Sequence, residues 1–464
     1  MENKRNSFSG SLGFVLTAAG SAVGLGNIWR FPYLAAKDGG GLFIVVYLVL
    51  ALTFGFTLLT TEIAIGRRTK QSPLTAYSKV KKGTGFLGVL ACLVPVIIMP
   101  YYSVIGGWVV KYFIAFLTGD GVAATGDNYF SDFISHEYKP ILYMLIFLAI
   151  VCFIVFRGVN KGIETSSKII MPILLVLVVG IAAYSLTIKN TDATGVTRTG
   201  LEGLKVYAVP DFSEVTAGSF LTTVMDAMGQ LFFSLSVAMG IMIAYGSYVK
   251  DDVNLGKSIN QIEICDTVVA FLAGVMIVPA VYVFMGKEGM TYGAGLMFVS
   301  LPKVFHEMGS VGNIIGCMFF AMVLFAAITS AVSVMEAVVA SLMDKFKMSR
   351  IKAAATETII ALIGAIVVCF GFNIWAFAVK LPNGEDADIL GIMDYVSNSV
   401  LMPIVAIITC LLVGWVVKPK YVIEEVEKTG TKFGRKMLYT VMVKVIAPIL
   451  LIFLFLKSIG VINI

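Results

Sequence analysis

Charge is scarce in this chain. Asp, Glu, Lys and Arg make up 14% of its 464 residues, against about 25% in an ordinary soluble domain. Hydrophobic residues fill 58%. A water-soluble fold of this length cannot hide so much apolar surface, so a soluble enzyme is excluded. A disordered regulator would need the opposite composition. Histidine is nearly absent: His136 and His306 are the only two, and both sit in polar stretches. The six cysteines, Cys92, Cys152, Cys265, Cys317, Cys369 and Cys410, all lie inside apolar runs, with no CxxC and no Cys/His cluster. Zinc and haem thereby lose their ligands, and no loop holds a pair for a disulfide. A membrane-embedded enzyme would need clustered acids, histidines or a metal within the apolar runs, and both histidines lie outside them. No secretory leader is expected, because the first apolar run starts near Leu12 and is too long for one.

What the chain has is length of apolar run. Eleven runs are read at 11–36, 41–65, 86–117, 139–156, 169–187, 216–247, 259–286, 312–343, 351–371, 389–417 and 437–460. Eleven spans at about 20 residues each use roughly 220 residues and leave ample chain for loops. In lipid every backbone polar group needs an internal partner, so runs of this length are helices. They lack the ten-residue alternation of an outer-membrane barrel. The expected fold class is therefore an all-α polytopic membrane protein.

Lysine and arginine set the expected orientation. With the N-terminus inside, the cytoplasmic segments carry 23 of them and the opposite side eight. The N-terminus is then cytoplasmic and the C-terminus extracytoplasmic, in a cell inner (plasma) membrane. The basic residues are scattered over six segments, so the partners expected are the lipid bilayer and a small molecule, with no nucleic acid. Nothing in the sequence sets an oligomeric state.

Two of the runs are interrupted. The first contains Gly20-Ser21-Ala22-Val23-Gly24-Leu25-Gly26-Asn27, followed by Arg30-Phe31-Pro32. Each glycine costs about 1 kcal/mol of helix propensity against alanine. Close helix packing is one explanation, since small residues line helix interfaces. Asn27 and Arg30 support another, because ionisable groups at membrane depth face a cavity or a partner and mark a substrate path. The sixth run has a second interruption, from Gln230 through Phe233, Ser234 and Ser236 to Met239 and Gly240. Ser234 and Ser236 could also bond back to the preceding turn. The two interruptions are five helices apart. Five is odd, so two such copies run in opposite senses, as in an inverted repeat with a midplane site. Unwound backbone there offers carbonyls to cations and amides to a carboxylate. Nothing resembles the symmetric rings of a channel.

The segment GSAVGLGNIWRFPY at 20–33 resembles the first-helix signature of the neurotransmitter:sodium symporter family, and the likeness extends over nearly the whole chain. That family is itself a standing example of inverted repeats with broken helices. The length and number of runs are similar to its bacterial amino-acid branch, which includes sodium-coupled transporters of tryptophan and other hydrophobic amino acids. The resemblance implies a LeuT-type 5+5 inverted repeat with discontinuous first and sixth helices. Its parts would be a cytoplasmic N-terminus (1–10), a first repeat (11–187), an extracellular loop (188–215), a second repeat (216–417), a cytoplasmic loop (418–436), and a last helix with the C-terminus (437–464).

The resemblance also implies roles. Two sodium ions are expected. The first would take the carbonyl of Ala22 and the side chains of Asn27, Ser234 and Asp266, the last standing where relatives usually have asparagine. The second would take the carbonyls of Gly20, Val23 and Ala326 and the hydroxyls of Thr329 and Ser330. Oxygen-only ligands suit a hard monovalent cation. The substrate pocket would be formed by Ser21, Ala22, Gly24, Gly26, Ile98, Tyr102, Phe233, Ser234, Ser236, Met239, Ser330 and Val334. An outer gate would pair Arg30 with Asp394, and an inner gate Arg5 with Asp344, with Phe8 in place of the usual tryptophan. Gly162 and Pro172 would let the fifth helix unwind. Glu62 would accept hydrogen bonds from unwound backbone, and Glu336 stands where relatives often have glutamine.

The implied function is sodium-coupled import of neutral hydrophobic or aromatic L-amino acids by alternating access. Gly24 leaves room for a carboxylate, where monoamine transporters place an aspartate. Met239 is flexible and can shape a larger pocket, or can simply fill core. Asp266 in place of asparagine, with Ala270 where a serine would help hold an anion, implies independence of chloride, with a proton exported on return. Another secondary transporter of this fold, coupled to protons, and a membrane sensor that only binds the amino acid are the rival readings.

Overall fold

The computed structural model describes residues 7–192, 195–213, 215–290 and 295–462. Within them, nine helices are long and apolar enough to cross a membrane, and one bent pair makes a tenth. The first span is that pair, Ser11–Ala22 and Gly26–Lys37, bent by 54°. The others are Gly41–Thr69, Gly85–Leu117, Lys139–Phe156 and Val159–Thr187, the second to fifth. Leu255–Met285, Gly309–Phe346, Arg350–Phe370, Ile389–Val416 and Lys436–Ser458 are the seventh to eleventh. The expected sixth is present as two separate helices, Ala217–Ser234, which is less apolar than the other spans, and the short Ile241–Tyr248. By this measure the described residues hold ten spans rather than eleven, because six residues between these two helices leave the helical ladder.

The fifth span starts at Val159, ten residues before its expected start. The stretch reads as a polar loop, yet it opens as a wide helical turn over Val159–Glu164. Glu164 and Ser167 are buried there. Glu164 accepts the Ser9 backbone amide at 2.9 Å, the Ser9 hydroxyl and the Lys168 ammonium at 2.7 Å. Partners from the N-terminal segment keep this polar turn helical where water would otherwise compete for it.

Burial sorts the spans into centre and periphery. The most apolar windows of the second, third and seventh are 67–72% buried, and those of the fourth, fifth, ninth and eleventh only 33–39%. The third and eighth spans pack on each other, with the fourth and ninth beside them. The second packs on the short helix Ile241–Tyr248 through two glycines. A Cβ on Gly66 would strike the Ile243 carbonyl, and one on Gly246 the Ile63 carbonyl. Small residues let these backbones meet. The first span lies between the two groups, touching the fifth, seventh and eighth. Its break is therefore central.

On the face that carries the N-terminus, the helix Lys420–Val426 docks beside the second span. Arg67, fully buried, donates from Nε to Glu425 at 2.6 Å and from Nη1 to the Val253 carbonyl at 2.7 Å. Arg435 bonds Glu263 at 2.8 Å and lies 3.4 Å over the Phe56 ring. The loop before the last span is thus fastened to the second and seventh spans. The opposite face carries the hairpin Lys189–Thr191 with Thr197–Thr199 and the helix Gly200–Ala208.

Candidate functional site

The two breaks face each other. In the first, helix Ser11–Ala22 ends at Val23, which is extended at ψ 91°. The next helix begins at Gly26. Asn27 folds back across the gap, its Oδ1 accepting the Gly24 amide at 3.2 Å. In the second, residues 235–240 include three left-handed positions, Ser236 (φ 53°), Ala238 (φ 62°) and Gly240 (φ 74°). For the first two this conformation costs roughly 1–2 kcal/mol each. Two contacts offset it. Glu62 Oε1 accepts the Ala238 amide at 2.6 Å. The Ser236 hydroxyl donates to the Ser21 carbonyl at 3.0 Å and accepts from the Ser21 hydroxyl at 3.1 Å. Each break is therefore partly held by the other.

A polar cluster lies beside them. The Asn27 amide donates to Ser234 Oγ at 3.0 Å and to Asp266 Oδ1 at 2.8 Å. Ser234 donates to the same Asp266 oxygen at 2.6 Å, and Tyr47 to the other at 3.3 Å. Asn27 and Asp266 are fully buried. Among the described residues no lysine or arginine bonds to Asp266, so the charge of this carboxylate is balanced only by neutral donors. Ala22, the fourth residue expected here, lines the adjoining cavity.

The residues expected around a second ion lie where the first and eighth spans touch. A Cβ on Gly20 would come within 3.3 Å of Thr329 Cβ. Ser330 donates to the Ser21 carbonyl at 3.1 Å. Thr329 turns its hydroxyl onto its own helix, to the Ala326 and Phe325 carbonyls at 3.1 Å each. Val23 is the residue at which the first half-helix ends.

Eleven of the twelve expected substrate residues, all except Ser234, line one cavity of about 20 Å³, with Asn27 as its twelfth wall. That is room for about one water molecule. Gly24 and Gly26 have contact reasons to be glycine. A Cβ on Gly24 would meet Ser330 Oγ at 2.7 Å, and one on Gly26 would overlap the Phe233 ring. The Tyr102 hydroxyl is buried without a hydrogen-bond partner and comes within 3.5 Å of where that Gly24 Cβ would be. It is a donor aimed at the first break.

Beyond Phe233 and Tyr102 the molecule opens away from the N-terminal face. Two cavities of about 380 and 580 Å³ share Arg30, Phe233, Asp394 and Asn398 in their walls. Arg30 and Asp394 are not ion-paired among the described residues. Arg30 Nε is buried without a partner, and Asp394 accepts from Asn398 at 2.6 Å.

Toward the N-terminal face the path is filled. Phe8 is buried, packs edge-on against Tyr245 and Tyr248 at 5.9 and 6.1 Å, and donates its amide to the Tyr248 carbonyl at 3.1 Å. The expected Arg5–Asp344 pair lies in part outside the described residues, because Arg5 does. Asp344 accepts the Ser72 amide at 2.7 Å, at the start of helix Pro73–Val80. Glu336 has an Arg350 partner that sequence reading missed. It accepts from Arg350 and, at 2.6 Å, from the Tyr248 hydroxyl. Gly162 lies inside the wide turn that opens the fifth span, and Pro172 within the helix that follows, which is intact.

Three comparisons bear on this arrangement. A model of the sodium:neurotransmitter symporter family matches residues 5–132 and 129–463. The sodium-dependent transporter YhdH of Bacillus subtilis is 32% identical over 474 residues, spanning 100% of this chain and 99% of the relative. A sodium-dependent transporter of Haemophilus influenzae is 31% identical, spanning 98% of each. The crystal structure of MhsT in complex with L-phenylalanine superposes with a TM-score of 0.84 at 34% identity, covering 98% of this chain and 100% of that one. The helical architecture is therefore of LeuT type.

Proposed function

Because the chain belongs to the sodium:neurotransmitter symporter family, and so is a sodium-dependent multi-pass membrane transporter and not an enzyme, we propose that it imports neutral hydrophobic or aromatic L-amino acids together with two sodium ions. The observation that carries this reading is the junction of the two breaks with the Asn27–Ser234–Asp266 cluster in one buried place. Sodium is cargo here. The first ion uses Asn27, Ser234 and Asp266 with the Ala22 carbonyl, and the second uses Thr329, Ser330 and the carbonyls of Gly20, Val23 and Ala326.

The amino acid sets its carboxylate against Gly24 and the Tyr102 hydroxyl. Its side chain lies among Ile98, Met239 and Val334. The solved relative's complex with L-phenylalanine supports a large apolar side chain. A cavity of about 20 Å³ is too small to admit one, so Phe233 and Tyr102 must move. The open vestibule and the Phe8 plug correspond to an outward-facing arrangement, with the N-terminus in the cytoplasm of a plasma-membrane protein and the gate pair Arg30–Asp394 not yet closed. Residues 11–187 and 216–417 are the two repeats. Inward opening then loosens the fifth span between Gly162 and Pro172.

Two ions supply the work. Each contributes about 2.3 kcal/mol per 100 mV and about 1.4 kcal/mol per tenfold gradient. Together they give roughly 7 kcal/mol, or about 10⁵-fold accumulation at perfect coupling. A substrate panel in proteoliposomes, with and without a sodium gradient, tests the reading. Phenylalanine, tryptophan and leucine are expected to accumulate only with the gradient. Uptake that persists unchanged in choline medium would overturn it.

A further inference from the structure

A second buried acid lies far from the sodium cluster, and the transport reading gives it no role. Glu357 is fully buried in the ninth span. Both of its carboxyl oxygens lack any hydrogen-bond partner among the described residues. The ninth span packs on the third, fourth and eighth, and each brings its own titratable group. Cys92 comes from the third and Cys152 from the fourth, and both feel the Glu357 carboxyl electrostatically. Glu336 comes from the eighth and is already taken by Arg350 and Tyr248.

Among the described residues no cation bonds Glu357. Arg350 lies two turns away on the same helix, about 10 Å at 1.5 Å per residue. Its guanidinium bonds Glu336 and, through Nε, the Val155 carbonyl at 3.0 Å. Lys352 is exposed at the helix start, and Arg157 lies 5.4 Å from the Phe153 ring at the end of the fourth span. Nearby hydroxyls are committed as well. Ser341 donates to the Ala337 carbonyl at 2.7 Å, and Thr358 to the Ala354 carbonyl at 2.7 Å. Nor is this a metal site, since no group of three His, Cys, Asp or Glu side chains occurs among the described residues.

An ionised carboxylate with neither donor nor cation is the form that such a site rejects most strongly. We propose that Glu357 is a proton-binding site, separate from the sodium cluster, and that its bound proton keeps the third, fourth and ninth spans packed at their N-terminal-face ends. The bound form is a neutral carboxylic acid. Losing the proton would place a lone charge against Cys92 and Cys152.

The test uses the purified full-length protein. Infrared spectra at neutral pH should show the carbonyl band of a protonated carboxylic acid, and Glu357→Gln should remove one acid's worth of it. Adding or withdrawing sodium should leave that difference unchanged, which separates Glu357 from Asp266. The thermal midpoint of the wild type should fall more steeply than that of Glu357→Gln as the pH is raised from neutral to alkaline. Glu357→Met, similar in size and apolar, stands in if the Gln variant does not fold. Folded variants should keep sodium-dependent uptake within twofold of wild type at neutral pH. An unchanged acid band in a folded variant would overturn the proposal. A more than tenfold loss of uptake in a folded variant would do the same, because it would mean that the charged form is required. Neither spectra nor midpoints depend on transport, so a failure here is separable from a failure of the transporter reading.

Discussion

Replacing Asp266 by Asn tests the charge balance of the first ion site. The side chain is fully buried and accepts three hydrogen bonds, from Asn27, Ser234 and Tyr47. An amide of the same shape keeps its oxygen toward Asn27 and Ser234 and turns its NH₂ to the Tyr47 hydroxyl, which can accept. The fold therefore loses only about 1 kcal/mol. The ion loses a full negative charge. At about 4 Å and an effective dielectric near 20, that charge is worth about 4 kcal/mol, or roughly three decades of sodium affinity. A small anion could replace it, since Tyr47, Ser234 and Gln230 stay in place and Asp266 no longer repels chloride. Uptake should be measured in chloride and in gluconate. The wild type should be indifferent to the exchange, and Asp266→Asn should be impaired in gluconate and partly restored by chloride. Wild-type uptake that collapses in gluconate, or mutant uptake that stays at the wild-type level there, would refute the reasoning.

Four further outcomes are expected. Gly26→Ala puts a methyl into the Phe233 ring; overpacking of this kind costs about 1–3 kcal/mol, so the thermal midpoint should fall, and the displaced ring should raise the substrate KM about tenfold. Glu164→Gln weakens the tie to Ser9 and Lys168 by about 1.5–3 kcal/mol, and hydrogen exchange at the Phe8 and Ser9 amides should speed up about tenfold or more. Gly13→Ala, whose Cβ would overlap the Glu164 carboxylate, should do the same without a change of charge. Burial, and then the negative charge of Asp226, hold the Asp38 carboxyl at about 6, against an ordinary 3.8. The folded form then binds this proton more tightly than the unfolded chain does, so its stabilising effect is full below the ordinary value and is lost as pH rises through about 6. The thermal midpoint should drop across that window in the wild type, and Asp38→Asn should flatten the drop.

What was legible in the sequence follows from what each contact needs. Lipid leaves a long apolar run no alternative to a helix, so the runs at 86–117, 139–156 and 351–371 match helices to within about a residue. The breaks were legible because glycine, serine and asparagine are costly in mid-membrane. The helix Gly200–Ala208 was missed although its signal was present, since Thr199 and Glu202 form a reciprocal capping box. Helix Pro73–Val80 likewise begins at a Ser-Pro pair. The start of the fifth span was different. A stretch reading Val-Asn-Lys-Gly-Ile-Glu is polar enough to be a loop, and the bonds of Glu164 to Ser9, 155 residues away, and to Lys168 hold it in the helix.

Glu336 shows where sequence alone runs out at the site. Its identity raised the question of how a buried acid is balanced. The answer is Arg350, 14 residues on, with Tyr248 from the other broken helix. An acid inside a span demands a partner, but several arginines end spans on that face, and only the packing of the eighth and ninth spans selects Arg350. Glu357 poses the same demand without an answer. It is as deeply buried and has no donor among the described residues. Two acids on adjacent helices share one arginine, and the arginine is spent on the one that also holds Tyr248. The acid beside the helix Ile241–Tyr248 is therefore paired, and the one on the ninth span is satisfied in another way, by the proton proposed above.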